Sequence, residues 1–335
     1  MKKLFSITLI LCLFLAGCTK YKFASEDKFA TLRLSPELNV ATTKATIDDA
    51  VIINEDVRVQ VSKADGTTPY IGADAKFILS HDGSVWNMSS ALYLSSDNAT
   101  IYAYAPTPVT PADIETGGYS SLQIELDIPA SQNMAEQVDY LWSCQSTTAY
   151  DNAININNTN SIVNLRLNHA LTQVAFVFYT ENYSGSGVIS SIKITDASTT
   201  PTMVVNKDVT NDLVLNISDG SLSGGQTSTF KEVLAVGSTI SLLANPGDNP
   251  VTLNDEVNGY ILLTPFTAVN KSDITFTFNI DSKDYSVTLS GADGINWLAG
   301  HQYIYTVRLT GTQIDIQGVT VAPWQSHFED DIVIN

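Results

Sequence analysis

The chain has 335 residues, of which 44% are hydrophobic and 16% are charged, and its formal net charge is -18. This hydrophobicity excludes a disordered chain, which needs few apolar residues and dense charge. The acidic excess argues against nucleic acid as a partner, because phosphate binding requires a basic face. The length predicts about two domains, at roughly 150 residues each.

The first 17 residues have the pattern of a secretory signal peptide. Two lysines precede an apolar run from Leu4 to Leu15, and small residues lead to Cys18. The run is too short to span a bilayer, which takes about 20 apolar residues. The tetrapeptide that ends at Cys18 resembles a bacterial lipobox, which implies an outer-membrane lipoprotein with its lipid on Cys18. We expect residues 1–17 to be the signal peptide and 18–24 a lipidated linker. An ordinary cut that leaves a free thiol is the alternative.

From about residue 25 onwards the sequence alternates between apolar and polar residues with period two, which is typical of β-strands. Helical patterns between these segments are missing, so the sequence predicts an all-β fold of antiparallel sandwiches or barrels. The predicted strands are 30–35, 57–62, 101–105, 122–128, 162–167, 174–179, 192–194, 213–217, 240–243, 260–263, 274–280, 285–289, 303–309, 313–316, 319–321 and 332–334.

An Asn- and Thr-rich stretch, 147–161, is the best candidate for an interdomain connection. It predicts an N-terminal domain over 25–158 and a C-terminal domain over 159–335, each within the common size range. The strand predicted at 162–167 is compatible with either domain.

The sequence offers no signature of catalysis. The four histidines have no i+4 histidine partner, and no Cys-x-x-Cys pair, nucleophile elbow or phosphate-binding glycine loop occurs. Cys144 lies in an apolar stretch, so we interpret it as a small buried hydrophobic residue rather than a nucleophile. Asp281 to Asp284 reads as a hairpin turn, since its lysine would repel a calcium ion. We therefore expect neither an enzyme nor a cofactor.

Four segments of the sequence resemble those of a known protein family, which the composition alone does not indicate. They are NWLAGHQYIYTVRL at 296–309 with the later Val319-Thr320-Val321 and Pro323-Trp324, TKAT at 43–46, YAYAP at 102–106, and residues 165–178 with His169-Ala170-Leu171. Together they resemble the fimbrillin (type V pilin) family of anaerobic Gram-negative bacteria. The resemblance implies two tandem β-sandwich domains of transthyretin-like, Greek-key type. It also implies a role in a surface fimbria that supports adhesion and biofilm formation.

The resemblance further implies how such a subunit assembles. A trypsin-like protease removes the lipid-bearing segment with the first strand, and the C-terminal strand of another subunit fills the groove by β-strand addition. The removable first strand corresponds to Ala30, Leu32 and Leu34. The cleavage site corresponds to Lys44 or Arg33. The donor strand corresponds to Ile332 and Ile334, or to Ile314 and Ile316. An arginine-specific protease would not cut at Lys44.

Two functions follow as expectations. The first is a structural subunit, stalk or tip, of a fimbria, with the outer membrane as its early anchor and a receptor on a host or bacterial surface. The alternative is a surface lipoprotein of the same fold that binds glycan or host protein without polymerising. Only the fimbrial subunit needs a detachable first strand and a free donor strand.

Overall fold

The computed structural model describes residues 29–38, 56–70, 75–108, 115–150, 152–205, 212–240, 257–268, 270–291, 293–311 and 313–324. Over these residues the chain consists almost wholly of β-strands and connecting loops. Three short 3-10 turns occur among them, at Tyr119–Ser121, Met134–Glu136 and Lys271–Asp273. The predicted all-β class is confirmed. Within the described ranges, no helix has both the length and the apolar character to cross a membrane.

The described strands divide into those before and those after residue 170. The first group is β1 (Ala30–Thr31), β2 (Arg33–Leu38), β3 (Val57–Lys63), β4 (Lys76–His81), β5 (Trp86–Met88), β6 (Tyr93–Leu94), β7 (Ala99–Ala105), β8 (Glu115–Thr116), β9 (Gln123–Glu125), β10 (Ser131–Asn133), β11 (Leu141–Gln145) and β12 (Ile162–His169). The second group is β13 (Thr172–Glu181), β14 (Ile189–Asp196), β15 (Val204–Val205), β16 (Val214–Asn216), β17 (Leu222–Ser223), β18 (Gln226–Thr227), β19 (Phe230–Leu234), β20 (Gly259–Leu263), β21 (Phe266–Ala268), β22 (Ile274–Ile280), β23 (Lys283–Thr288), β24 (Ile295–Trp297), β25 (His301–Thr310) and β26 (Ile314–Pro323).

The largest sheet has seven strands, in the order β2-β12-β11-β7-β3-β4-β5. β12 is the strand that the sequence leaves open between the two halves. It pairs in parallel with β2 and antiparallel with β11, so it lies in the sheet of the first half. Its alternate residues Val163, Leu165 and Leu167 are buried in the core of that half, as the period-two pattern requires.

Two further sheets, β10-β19-β14-β22-β23 and β20-β13-β25-β26, enclose the core of the second half. β22 shows why this region forms strands, because its apolar residues are buried and alternate with half-buried polar residues. Aromatic rings fill the space between the sheets. The ring of Phe176 meets those of Phe276 and Phe278 edge-on, with centroids 5.1 and 5.0 Å away.

Strands from both halves of the chain share two of the sheets. β9 pairs with β16 in the four-stranded sheet β17-β16-β9-β8, and β10 pairs in parallel with β19. The β8-β9-β16-β17 sheet covers a third core that includes Tyr104, Trp142 and Leu215. Gly220 lies so close to the Trp142 indole that a Cβ there would be 2.2 Å from the ring. The two halves are therefore joined by hydrogen bonds and by a common core.

Two local predictions have different outcomes. The predicted turn at Asp281 and Ser282 is confirmed, since both residues take positive φ, 50° and 64°, between the paired strands β22 and β23. The interruption predicted between the strands 313–316 and 319–321 is wrong, because β26 is one continuous strand along β25. The register shifts between Thr306 and Val307, so Gln317 is an extra residue that bulges before Gly318. A local bulge resembles a strand break in a sequence pattern.

Candidate functional site

The first strand lies in the core of the first half of the chain. Leu32 is completely buried and Leu34 is 6% exposed, and both belong to the core cluster that also holds Val163 and Leu165. Ala30, at the start of the strand, is half-buried and pairs with Leu94 of β6. The apolar face predicted for Ala30, Leu32 and Leu34 therefore points inward.

Backbone hydrogen bonds hold this strand on both of its sides. β2 runs parallel to β12, from Arg33 opposite Ile162 to Leu38 opposite Leu167. On the other side, the Leu32 N–H donates to the Leu92 carbonyl at 2.9 Å. Removal of residues 29–38 would therefore open a groove with a β12 edge of unpaired backbone groups on one wall and a gap in the core beneath it.

Of the two candidate cleavage residues, Arg33 lies within the described part of the chain. The Arg33 side chain is exposed, but its backbone N–H donates to the Ser161 carbonyl at 2.8 Å within the paired strand. A protease needs an extended peptide that is free of such pairing, so the bond at Arg33 is protected while β2 stays in place. Lys44 and the lipidation candidate Cys18 lie outside the described residues.

The upstream donor candidates already belong to the core of the second half. Ile314 is 7% exposed and pairs with Leu309, and Ile316 pairs with Val307. Both contribute to the core enclosed by the two C-terminal sheets. The downstream candidates Ile332 and Ile334 lie outside the described residues.

Trp324, the residue after β26, is held between the two halves of the chain. Its ring stacks on His169, with centroids 4.1 Å apart and planes 12° apart. The Nδ1 atom of His169 lies 2.8 Å from an oxygen of Asp139, which fixes the imidazole plane. The Trp324 N–H donates to the Gly300 carbonyl, and the Gly300 N–H donates to the Leu171 carbonyl, at 2.9 and 2.8 Å. Trp324 is therefore held by contacts with both halves of the chain.

A buried lysine also joins the two halves. Lys231 on β19 is 1% exposed and donates to the Gln132 side chain at 2.7 Å and to the Pro129 carbonyl. Burial lowers the pKa of Lys231 to about 7, because removal from water disfavours the ammonium. Neither Lys231 nor Asp139 was singled out from the sequence. For Lys231 a signal existed, since the alternation in β19 places it on the same face as buried Val233.

The described residues show no cluster of three or more His, Cys, Asp or Glu side chains that would hold a metal ion. Cys144 is 5% exposed and lies in the core shared by both halves, so the prediction of a buried cysteine is confirmed. Burial raises the pKa of its thiol to about 12, which leaves it protonated and unreactive.

A sequence profile of the fimbrillin-like family matches residues 43–324. The chain belongs to the fimbrillin-like family. The resemblance read from the sequence is therefore confirmed, and membership of this family supports the expectation that the fimbrillin-like chain is not an enzyme. A comparison with curated protein sequences gives no match.

Solved structures share the fold of this fimbrillin-like chain. A fimbrial protein from Bacteroides vulgatus is 14% identical, with 88% of this chain and 99% of that one covered at a TM-score of 0.53. A candidate cell adhesion protein from Bacteroides ovatus is 13% identical, with coverages of 90% and 100% and a TM-score of 0.57. Another from Bacteroides uniformis is 14% identical, with coverages of 88% and 99% and a TM-score of 0.55. These likenesses concern the fold alone.

Proposed function

We propose that this chain is a structural subunit of a surface fimbria that assembles by protease-triggered strand exchange and supports adhesion and biofilm formation. It would reach the outer membrane as a lipoprotein through Cys18, lose its first strand, and then join other subunits at the cell surface. The observation that carries the proposal is the position of β2 along β12 with Leu32 and Leu34 buried beneath it.

The first strand has the properties of a replaceable segment. It lies at one end of the order of the seven-stranded sheet, so its loss leaves the ladder between β12 and β5 in place. Two leucines supply most of its apolar contact, and burial of each contributes about 1.5–3 kcal/mol. A donor strand with apolar residues at alternate positions would restore both the backbone pairing and the core contacts.

The segment from 325 to 335 is the better donor of the two candidates. Use of Ile314 and Ile316 would require β26 to leave β25, with which it pairs from Leu309–Ile314 to His301–Pro323. The eleven residues after Trp324 carry Ile332 and Ile334 at alternate positions. Eleven residues extend to about 36 Å at 3.3 Å per residue, which exceeds the length of the six-residue β2.

Cleavage at Lys44 fits this scheme better than cleavage at Arg33. A cut after Lys44 releases the whole first strand, whereas a cut at Arg33 requires the paired strand to open first. The maturation protease would then accept lysine.

The experiment uses residues 19–335 without lipid, treated with dilute trypsin and followed by intact mass and by size-exclusion light scattering. We expect one early cut after Lys44 and then a ladder of oligomers. The variant Lys44→Ala should delay both. The double variant Ile332→Asp with Ile334→Asp should be cut normally and remain monomeric. Its matched control is Val319→Asp with Val321→Asp, which changes two valines that are 51% and 54% exposed and should leave assembly intact.

Two results would contradict the proposal. No preferred cut within residues 19–46 would remove the first step of the mechanism. A clean cut that leaves a stable monomer would instead favour a non-polymerising surface lipoprotein that binds glycan or host protein.

A further inference from the structure

A polar cavity of about 370 Å³ lies where two neighbouring strands of the seven-stranded sheet separate. The described pairing of β11 with β12 covers Leu141 with His169 and Trp142 with Asn168. Farther along β11, the Gln145 side-chain amide donates to the Asn164 carbonyl at 3.0 Å. The opening beside this bond is the cavity, and we call it the amide cavity after the carboxamides of Gln145, Asn152, Asn160 and Asn164 that line it.

The floor of the amide cavity has buried polar atoms without partners. Asn152 is 5% exposed, and neither its side-chain oxygen nor its nitrogen has a hydrogen-bond partner among the described residues. Gln145 is 1% exposed, and its side-chain oxygen is likewise unpaired. Buried polar groups in proteins are nearly always paired, so two such amides at one cavity point to an occupant that donates and accepts hydrogen bonds.

The rim of the cavity is exposed and mixed in character. Asn160, Asn164 and Arg166 lie there, and Arg166 is ion-paired with Glu37 at 3.3 Å. Ile162, on the same side of β12, is 70% exposed. A large exposed isoleucine beside amides offers an apolar surface next to hydrogen-bonding groups.

We propose that the amide cavity is a saccharide-binding site. Each carboxamide both donates and accepts, which matches the hydroxyls of a sugar, and Ile162 would pack on the C–H face of the ring. The volume is near the lower limit of ligand pockets, roughly 300–1,000 Å³, so it suits a single pyranose ring. The proposal does not depend on strand exchange.

Two other occupants fit the lining less well. An anion would find one guanidinium, which is paired with Glu37 while the first strand is in place, on a chain whose net charge is -18. Water would satisfy the amides, as it does in many proteins, but it gives no reason for the exposed isoleucine at the rim.

The test is saturation-transfer NMR on residues 19–335 with a panel of neutral monosaccharides at millimolar concentration: glucose, galactose, mannose, fucose, N-acetylglucosamine and N-acetylgalactosamine. We expect saturation transfer to at least one of them. Asn152→Leu keeps the shape of the side chain and removes both polar atoms, so it should weaken binding at least tenfold. The matched control is Ser143→Ala, which removes a fully buried, unpaired hydroxyl from the same strand β11 but does not line the cavity.

Thermal denaturation of both variants shows that each is folded before binding is compared. Saturation transfer to none of the sugars in the panel would overturn the proposal. Equal binding by wild type and Asn152→Leu would also overturn it, because the sugar would then bind elsewhere. Loss of binding in Ser143→Ala as well would assign the effect to the packing of β11 and would contradict a specific role of the cavity.

Discussion

Replacement of Leu32 with alanine tests how the first strand is held. Leu32 has no exposed surface and lies in the core of the first half of the chain, so its truncation leaves a cavity between paired strands. Leucine-to-alanine changes in cores lower the free energy of unfolding by about 2–5 kcal/mol. We expect Leu32→Ala to lower the free energy of unfolding by an amount in this range, because backbone hydrogen bonds on both sides prevent the strand from moving inward to fill the cavity.

The assay is urea denaturation of residues 19–335, followed by near-UV circular dichroism. The matched control is Arg33→Gln, which changes the adjacent exposed side chain of the same strand. Exposed substitutions of this kind alter the free energy of unfolding by at most about 0.5 kcal/mol. Leu32→Ala should therefore unfold at clearly lower urea, and Arg33→Gln should match the wild type.

The same variant should also expose the backbone at Arg33. A weakened strand opens more often, so trypsin should cut after Arg33 faster in Leu32→Ala than in the wild type at equal temperature. If Leu32→Ala and Arg33→Gln unfolded at the same urea concentration, the first strand would contribute nothing to the core. The reasoning that makes it a replaceable element would then be refuted.

Three further predictions concern the rest of the fold. Gly220→Ala should lower the free energy of unfolding by about 1–3 kcal/mol, because the added Cβ would lie 2.2 Å from the Trp142 ring and residue 220 has a φ of +72°. The control Gly118→Ala has open space around the added Cβ and should leave the melting temperature unchanged in the same thermal melt. Asp281→Asn should lower the melting temperature at neutral pH. The Asp281 carboxylate accepts from the hydroxyls of Ser186 and Tyr183 and from two backbone N–H groups, and these bonds hold its pKa well below the usual 3.8. That stability is present above pH 3.8 and is lost as the pH falls through the lowered pKa, so melts of the two proteins should converge in strong acid; an undiminished difference there would contradict the assignment. Lys231→Met should flatten the pH dependence of the free energy of unfolding between about pH 7 and pH 10.5. In this range the folded wild type has already released the Lys231 proton, whereas the unfolded chain still binds it. The free energy of unfolding of the wild type should therefore rise with pH by up to about 1.4 kcal/mol per pH unit. Parallel pH profiles of the two proteins in urea would refute it.

The positions of many strands could be predicted from the sequence, because alternation is a local property. The pattern in 274–280 predicted β22, and its apolar residues are buried. The turn at Asp281 and the burial of Cys144 could also be predicted, since turn residues and apolar surroundings act over a few positions. The family resemblance likewise rested on short segments in the right order, and the family is confirmed. Removal of the strand that contains Ala30, Leu32 and Leu34 stays a prediction.

The choice of partners for those strands was decided only by the tertiary structure. Nothing in residues 162–169 indicates that β12 pairs in parallel with a strand about 130 residues earlier. This pairing nevertheless holds β2 in the seven-stranded sheet. The pairing of β10 with β19 and the contact of Lys231 with Gln132 likewise join distant parts of the chain.

Side-chain clusters depend on the same long-range pairing. The stacking of His169 on Trp324 and its contact with Asp139 required three separate segments to meet. The unpaired side-chain oxygen of Gln145 and the unpaired amide of Asn152 lie at a cavity between β11 and β12, which alternation does not encode. Local patterns therefore determined the kind of element, and contacts between distant segments determined which strands pair and which side chains meet.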